Sequence, residues 1–263
     1  MKNSMVPVIC MALFIGLVSC KETPAKDSAK QTAQSETNDP KISPHEEQDS
    51  QLEYRYVMVP NGLSLRATNT LDSEKLAVMP FKSKVVLLEE ASDKPIEVEH
   101  IKGGMHKIRY EGQTGFAFSG FLSQLPLPQE EEQSTEDYIA TLKEQFPDVT
   151  FESKANDPEF HEGSTVTFTL PATNWHEAFY IVSAMYQSPK TLGFPKPSGP
   201  ELETIEDPEK PQEVWDSFLT VTRENNSFKK IEYDYRAEGF GYGYDIVRES
   251  DKLFRVEYLG FVD

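Results

Sequence analysis

The first twenty residues decide how much of this chain is available to fold. Lys2 is followed by an uncharged, mostly apolar run from Met5 to Val18, and then by Ser19 and Cys20. A run this short cannot cross a bilayer as a permanent helix, which needs roughly 20 apolar residues. A basic residue, a short apolar stretch and a small residue are typical of an export signal with its cleavage site. We therefore predict that residues 1–19 are a signal peptide and that the mature chain begins at Cys20.

The tetrad Leu17-Val18-Ser19-Cys20 resembles the bacterial lipobox. The resemblance implies that Cys20 is acylated, with palmitate among its chains, and holds the protein on a membrane outside the cytoplasm. Each buried methylene of such a chain contributes about 0.8 kcal/mol to anchoring. In Gram-negative lipoproteins an aspartate after the cysteine favours the inner membrane, so Lys21 favours the outer membrane if the source is Gram-negative. The alternative is an ordinary signal peptide that leaves Cys20 as a free thiol.

Charge and cysteine content exclude several function classes. The formal net charge of −18 argues against nucleic acid, whose phosphates require Lys and Arg. It also argues against direct adhesion to anionic lipid. Cys10 lies within the predicted signal peptide, so Cys20 is the only cysteine of the predicted mature chain. That chain has no internal disulfide, no cysteine nucleophile and no cysteine-ligated metal, and we predict neither a cofactor nor a metal site.

Composition divides the predicted mature chain into four segments. Residues 20–52 have hardly any large apolar residue, and we predict a disordered tether with a reach on the order of 30 Å. Residues 53–125 contain short alternating strands separated by turns. Residues 126–133, rich in Pro and Glu, are predicted to be a linker. Residues 134–263 form a second predicted domain.

The segment from about Tyr54 to Leu125 resembles the bacterial SH3-like domain of exported and cell-wall proteins. Leu63-Ser64-Leu65-Arg66 stands where that family has Leu-Asn-Val-Arg, and residues 104–108 stand where it has Gly-Trp-x-Lys-Val. Residues 111–117 correspond to its x-Gly-x-x-Gly-Trp-Val, with Phe116 in place of tryptophan. The resemblance implies a small β-barrel that binds a ligand without catalysing a reaction.

Three residues of this segment are predicted to contact a ligand. Arg66, Phe116 and Phe118 are the candidates to line a peptide groove of the SH3-like domain. The alternative is that the rings fill the barrel interior, as about half of the side chains on alternating strands do.

The second domain is predicted to be α+β. Ser134 is followed by acidic residues and by an apolar face of Tyr138, Ile139, Leu142 and Phe146, which predicts a helix start. Thr173 or Asn174 caps a second predicted helix, and hairpins follow with turns at 224–226 and 250–252. The fold class predicted for the chain is therefore a small SH3-like β-barrel followed by an α+β domain with two helices on an antiparallel sheet.

Few residues indicate chemistry. His161 and His176 each precede a glutamate, but neither belongs to a His-Glu-x-x-His pattern, so we predict no catalytic residue. Residues 239–244 alternate glycine with aromatic residues, which is typical either of an exposed ring platform or of a bent strand, and we favour the strand. Trp175 and Trp215 are predicted to lie in the core.

These features predict a non-enzymatic, lipid-anchored envelope protein that holds or recruits a cell-wall component or a protein partner. One alternative is an inhibitor or immunity-type lipoprotein, whose acidic surface binds a cationic enzyme. Another is a hydrolase on an unrecognised α+β scaffold that uses a carboxylate pair such as Asp234 and Asp245.

Overall fold

The computed structural model describes residues 52–91, 94–129, 133–156 and 162–262. The predicted signal peptide, Cys20, the predicted tether as far as residue 51 and His161 lie outside the described residues. Among the described residues, none of the helices has the length and apolar character needed to cross a membrane. The two halves of the described chain belong to one compact unit.

The N-terminal half consists of short strands in which apolar and polar residues alternate. The strands are β1 (Glu53–Val57), β2 (Leu63–Arg66), β3 (Lys75–Met79), β4 (Lys84–Glu89), β5 (Ile96–Val98), β6 (Ile101–Gly103), β7 (Met105–Tyr110), β8 (Gln113–Phe118) and β9 (Leu122–Ser123). Seven of them form the first sheet, in the antiparallel order β3-β2-β8-β7-β4-β1-β9, and β5 pairs with β6 as a separate hairpin. Alternate side chains of β2 are buried, as a strand with one face on the core requires.

The C-terminal half contains longer strands and two helices. The elements are α1 (Thr135–Lys143), β10 (Phe151–Ala155), β11 (Glu162–Leu170), α2 (Trp175–Met185), β12 (Leu202–Glu206), β13 (Val214–Glu224), β14 (Ser227–Ala237), β15 (Phe240–Ser250) and β16 (Leu253–Val262). The strands form the second sheet, in the antiparallel order β10-β11-β16-β15-β14-β13-β12. One face of this sheet packs on α2, and the other faces outward.

The predicted fold class, a small SH3-like β-barrel followed by an α+β domain, is wrong. The described residues are mostly β, with two seven-stranded sheets, one two-stranded sheet and two helices, and they contain no closed barrel. The first sheet stays open because its terminal strands, β3 and β9, do not pair with each other. In the described part of the C-terminal half, strands of up to 11 residues build a seven-stranded sheet, and two short helices accompany it.

The predicted start of α1 is confirmed. The Ser134 hydroxyl oxygen accepts a hydrogen bond from the Asp137 backbone N–H at 3.1 Å, which satisfies one of the free donors of the first turn. The side chains of Tyr138, Ile139 and Leu142 are buried, as the apolar face predicted. Local sequence was sufficient here, because capping and a 3.6-residue period involve only neighbours in the chain.

The two halves share one core around the buried carboxylate of Glu177. This side chain on α2 is only 4% exposed. It accepts hydrogen bonds from the Ser123 hydroxyl at 2.8 Å, the Gln124 N–H at 3.0 Å and the Thr173 N–H at 3.0 Å. Leu125 and Leu127 are also buried, so residues at the edge of the predicted linker belong to this core. The carboxylate therefore joins the end of the first half to the start of α2.

Candidate functional site

The three predicted ligand contacts do not share one exposed surface. Arg66 and Phe116 lie opposite each other on β2 and β8, and both are half-buried. The Arg66 guanidinium donates a hydrogen bond to the Ser73 carbonyl at 2.7 Å. Phe118 is 3% exposed and packs edge-on against Phe121, with 5.1 Å between ring centroids. Arg66 and Phe116 are thus neighbours, whereas Phe118 belongs to the core.

Gly241 and Gly243 are explained by crowding across strands, and Gly239 by its φ angle of 81°. Tyr242 and Tyr244 lie on the face of the second sheet that packs on α2. Gly241 lies on the opposite face, where an added Cβ would collide with the ring of Phe261 on β16. An added Cβ at Gly243 would lie 2.8 Å from the Tyr233 carbonyl oxygen. Glycine at position 241 therefore makes room for a ring on the neighbouring strand, which agrees with the interpretation of residues 239–244 as part of a strand.

The carboxylates Asp234 and Asp245 lie on the outward face of the second sheet. Burial raises the pKa of both; the charge of Glu232 raises the pKa of Asp234 further, whereas at Asp245 the charge of Arg255 opposes the rise and that of Glu257 adds to it. Asp245 pairs in register with Glu232 on β14 and with Glu257 on β16, so three carboxylates form a row across three strands. Among the described residues, no group of three or more His, Cys, Asp or Glu side chains is arranged to hold a metal ion.

The two tryptophans have different environments. Trp175, at the start of α2, packs edge-on against Phe254 at 5.0 Å and lies 5.5 Å from the ring of Phe228; it is half-buried, so it packs against the core and is not fully inside it. Trp215 is 58% exposed, so the prediction that it lies in the core is wrong. It occupies a register shift of β13 between Val214 and Asp216, where the strand bulges and its side chain leaves the alternation.

A cavity of about 680 Å³ lies where α2 meets the first half of the chain. We call it the junction cavity. The first half contributes residues 59–62, residues 81–82 and Phe121, and the second half contributes parts of α2 and residues 187–190. Its volume is within the roughly 300–1,000 Å³ typical of ligand sites. No sequence pattern indicated this cavity, because its walls come from segments that are distant in the chain, such as residues 59–62 and residues 187–190.

Three residues around the junction cavity have left-handed backbone conformations although they are not glycine. Lys82, Glu99 and Gln187 have φ angles of 67°, 49° and 52°. A residue with a side chain loses about 1–2 kcal/mol of conformational free energy in this region of φ and ψ, whereas glycine does not. The Lys82 N–H donates a hydrogen bond to the Val57 carbonyl at 2.8 Å, which helps to hold the turn. Conformations of this kind are concentrated at functional sites, because the surrounding structure must maintain them.

The walls of the junction cavity combine apolar and polar groups. Phe121, Phe179, Met185 and Leu192 supply apolar surface. Burial, together with the charge of the nearby Glu99, raises the pKa of Tyr180 to about 12, so its hydroxyl stays neutral.

The charged groups of the cavity include Lys82 and Lys190. Among the described lining residues, Glu99 is the only carboxylate, and there is no histidine or cysteine. Such a set of groups can bind a ligand through apolar contact, hydroxyls and opposite charges.

His176 lies outside the junction cavity, near the start of α2. Burial lowers the pKa of His176 to about 4, so the imidazole is neutral at physiological pH. Its ring packs edge-on against Phe194, with 5.8 Å between centroids.

Comparisons of the chain with protein-family models, with curated proteins and with solved structures found no match.

Proposed function

We propose that this protein is a lipid-anchored, non-catalytic binding protein of the cell envelope, and that the junction cavity holds a cell-wall component or a protein partner. The observation that carries the proposal is the cavity of about 680 Å³, lined from both halves by apolar, hydroxyl and charged groups. Preformed concave sites of this size and mixed lining are the usual places for ligands. The resemblance of the motifs in residues 54–125 to those of exported SH3-like domains supports a wall component, although the barrel that it implied is not formed by the described residues.

Anchoring rests on Leu17-Val18-Ser19-Cys20. Acyl chains on Cys20 would keep the protein at a membrane face, favouring the outer membrane in a Gram-negative source, and the tether would let the binding unit reach the wall. Mass spectrometry of the N-terminal peptide extracted from membranes tests this step. We expect a peptide that begins with an acylated Cys20. An unprocessed chain in the cytosol would contradict it.

Binding at the junction cavity is tested by filling it in the full-length lipoprotein. Ala184 lies on the α2 wall, so Ala184→Trp places an indole in the space that a ligand would occupy. The matched control is Leu259→Trp, because Leu259 is an exposed apolar residue on β16. Retention of wild type and both variants is measured on purified peptidoglycan and on immobilised envelope extract.

We expect wild type and Leu259→Trp to be retained on at least one of the two matrices, and Ala184→Trp to be lost. Thermal unfolding shows whether Ala184→Trp is folded, because overpacking typically costs about 1–3 kcal/mol. Retention of a folded Ala184→Trp at the wild-type level would exclude the junction cavity as the site. Failure of all three proteins to bind either matrix would contradict the proposed function itself.

The second candidate, an inhibitor or immunity-type lipoprotein that binds a cationic enzyme, is favoured by the acidic row of Glu232, Asp245 and Glu257. Like charges directly opposite each other destabilise a sheet, and here Lys230 pairs with Glu232 at 2.6 Å and Arg255 with Glu257 at 3.2 Å, so part of the negative charge of the row is offset. Capture of one basic hydrolase at low salt and its release at high salt would support this candidate. The variant Glu232→Gln/Asp245→Asn/Glu257→Gln should then lose the enzyme, whereas Ala184→Trp should keep it.

A further inference from the structure

A groove separate from the junction cavity opens at the N-terminal end of α2. Its volume is about 400 Å³. We call it the α2 groove and define it by His100, Lys102, Trp175, His176, Phe228 and Arg248. The residues come from the β5–β6 hairpin, from the first turn of α2 and from β14 and β15. Its lining therefore depends on both halves of the chain.

The charge of the α2 groove is opposite in sign to that of the whole protein. The chain has a formal net charge of −18, yet none of the described residues that line the groove is Asp or Glu. Lys102 and Arg248 form no ion pair with a described carboxylate. On the hairpin, Glu97 lies opposite Lys102 in register and 4.0 Å from the His100 ring nitrogen, and Glu99 directly precedes His100. The groove is thus a local positive site on an acidic protein.

Arg248 is held in place by neutral acceptors. Its guanidinium donates hydrogen bonds to the carbonyls of Thr173 at 3.1 Å, Ser250 at 3.1 Å and Asp251 at 3.0 Å, and it lies 5.4 Å from the centre of the Phe254 ring. Carbonyl oxygens orient the guanidinium without cancelling its charge. A cation fixed in this way loses less conformational entropy when it binds an anion.

The floor of the α2 groove is aromatic. The ring centroids of Trp175 and Phe228 are 5.5 Å apart, and Trp175 also packs edge-on against Phe254. His176 is uncharged at physiological pH, because burial lowers its pKa to about 4. The groove therefore presents apolar rings beside fixed positive charge, which suits a ligand that has a carboxylate next to a large apolar side chain.

We propose that the α2 groove binds the free carboxyl terminus of a protein partner that ends in a large apolar residue, with Lys102 and Arg248 facing the carboxylate and Trp175 and Phe228 contacting the side chain. Charge complementarity selects the carboxylate, and the aromatic floor selects the last residue. This site is distinct from the junction cavity, and it does not depend on what that cavity holds.

The test uses the full-length protein with Trp215→Phe. The chain has two tryptophans, so this exposed substitution leaves Trp175 as the only one and makes its fluorescence a reporter of the groove. The probes are N-acetyl-Ala-Phe with a free carboxylate, the same peptide as its C-terminal amide, and N-acetyl-Ala-Ala with a free carboxylate. We expect saturable binding of the first probe with a Kd of about 0.1 mM, as suits a small ligand in a shallow site.

The amide and the Ala-Ala probe should each bind at least about fivefold more weakly. Arg248→Gln and Lys102→Gln should each weaken the acid probe about threefold to fivefold, since these charges are exposed. Lys154→Gln, which removes an exposed cation on β10, is the matched control and should change nothing. Ala184→Trp should also leave this binding unchanged, which separates the outcome from that of the junction cavity. Equal affinity for acid and amide, equal affinity for Phe and Ala, or no saturable change of Trp175 fluorescence would each overturn the proposal.

Discussion

Replacing Glu177 tests whether one buried carboxylate couples the two halves. Glu177→Ala removes the acceptor of the Ser123 hydroxyl and of the N–H groups of Gln124 and Thr173. Hydrogen bonds to a charged group contribute about 1.5–3 kcal/mol each, and buried donors without an acceptor add a desolvation cost. The mutation also relieves the cost of burying the charge itself, so we expect a net loss of about 3–5 kcal/mol.

That loss is large beside the roughly 5–15 kcal/mol by which typical proteins are stable. For a unit of this size it corresponds to a fall in Tm of about 6–20 °C. Glu177→Gln should lower the free energy of unfolding by about half as much. Its remaining oxygen still accepts hydrogen bonds, but its NH2 group is a donor and faces another donor, the N–H of Thr173. The measurements are urea and thermal unfolding of the full-length protein.

The matched control is Glu136→Ala in the first turn of α1, where the glutamate is exposed. It should cost about 0.3–1 kcal/mol, through the lost interaction with the helix dipole. If Glu177→Ala lowered the unfolding free energy no more than this control, the coupling role of Glu177 would be refuted. Limited proteolysis provides a second readout, since a weakened junction should expose the chain near Gln124 to cleavage.

Three further predictions concern single elements of the fold. The pKa of His176 in the folded protein is lower than its ordinary value of 6.5, so the unfolded chain binds more protons between about pH 4 and 6.5. The free energy of unfolding should therefore fall as the pH drops through that window, by at most about 1.4 kcal/mol per pH unit. In urea titrations at several pH values, His176→Gln should reduce this dependence on pH. Ser134→Ala should cost about 1 kcal/mol in the same assay, because α1 loses its N-cap. Gly241→Ala should cost about 1–3 kcal/mol, because the added methyl meets the ring of Phe261.

Each of these predictions has a clear contrary result. A His176→Gln protein with the same pH slope as wild type would show that this imidazole is not a source of the acid sensitivity. An unchanged unfolding midpoint for Ser134→Ala would mean that the cap contributes nothing to α1. Gly193→Ala is the control for Gly241→Ala, since an added Cβ at Gly193 meets no atom within 4 Å. Equal effects of the two glycine substitutions would remove the crowding argument.

Several elements could be predicted because they depend on neighbouring residues. The turn at 224–226 is confirmed: Asn225 and Asn226 have φ angles of 52° and 57°, and asparagine tolerates this conformation better than most residues. By contrast, β12 lies within residues 193–211, whose proline and acidic residues are typical of an exposed loop. Its sequence alternates, but it becomes a strand by pairing with β13.

The sheet architecture could not be predicted from local patterns. Alternation shows which face of a strand is buried, but it does not say whether the terminal strands of a sheet meet. The first sheet has the expected strands and remains open, and this is why the predicted barrel is wrong. The exposure of Trp215 could not be predicted for a similar reason. It depends on a bulge in β13, which is defined by the pairing of β13 with β14 and not by the sequence of β13 alone.

The sequence by itself determined the predicted export and acylation signal, the acidic charge, the single cysteine of the predicted mature chain and the local helix and hairpin signals. All of these depend on composition or on residues a few positions apart. The tertiary structure decided the open sheet, the buried role of Glu177 and the two concave sites beside α2. Those features require segments distant in the chain to meet, and the free energy of such contacts is set by packing and desolvation that only the folded chain creates.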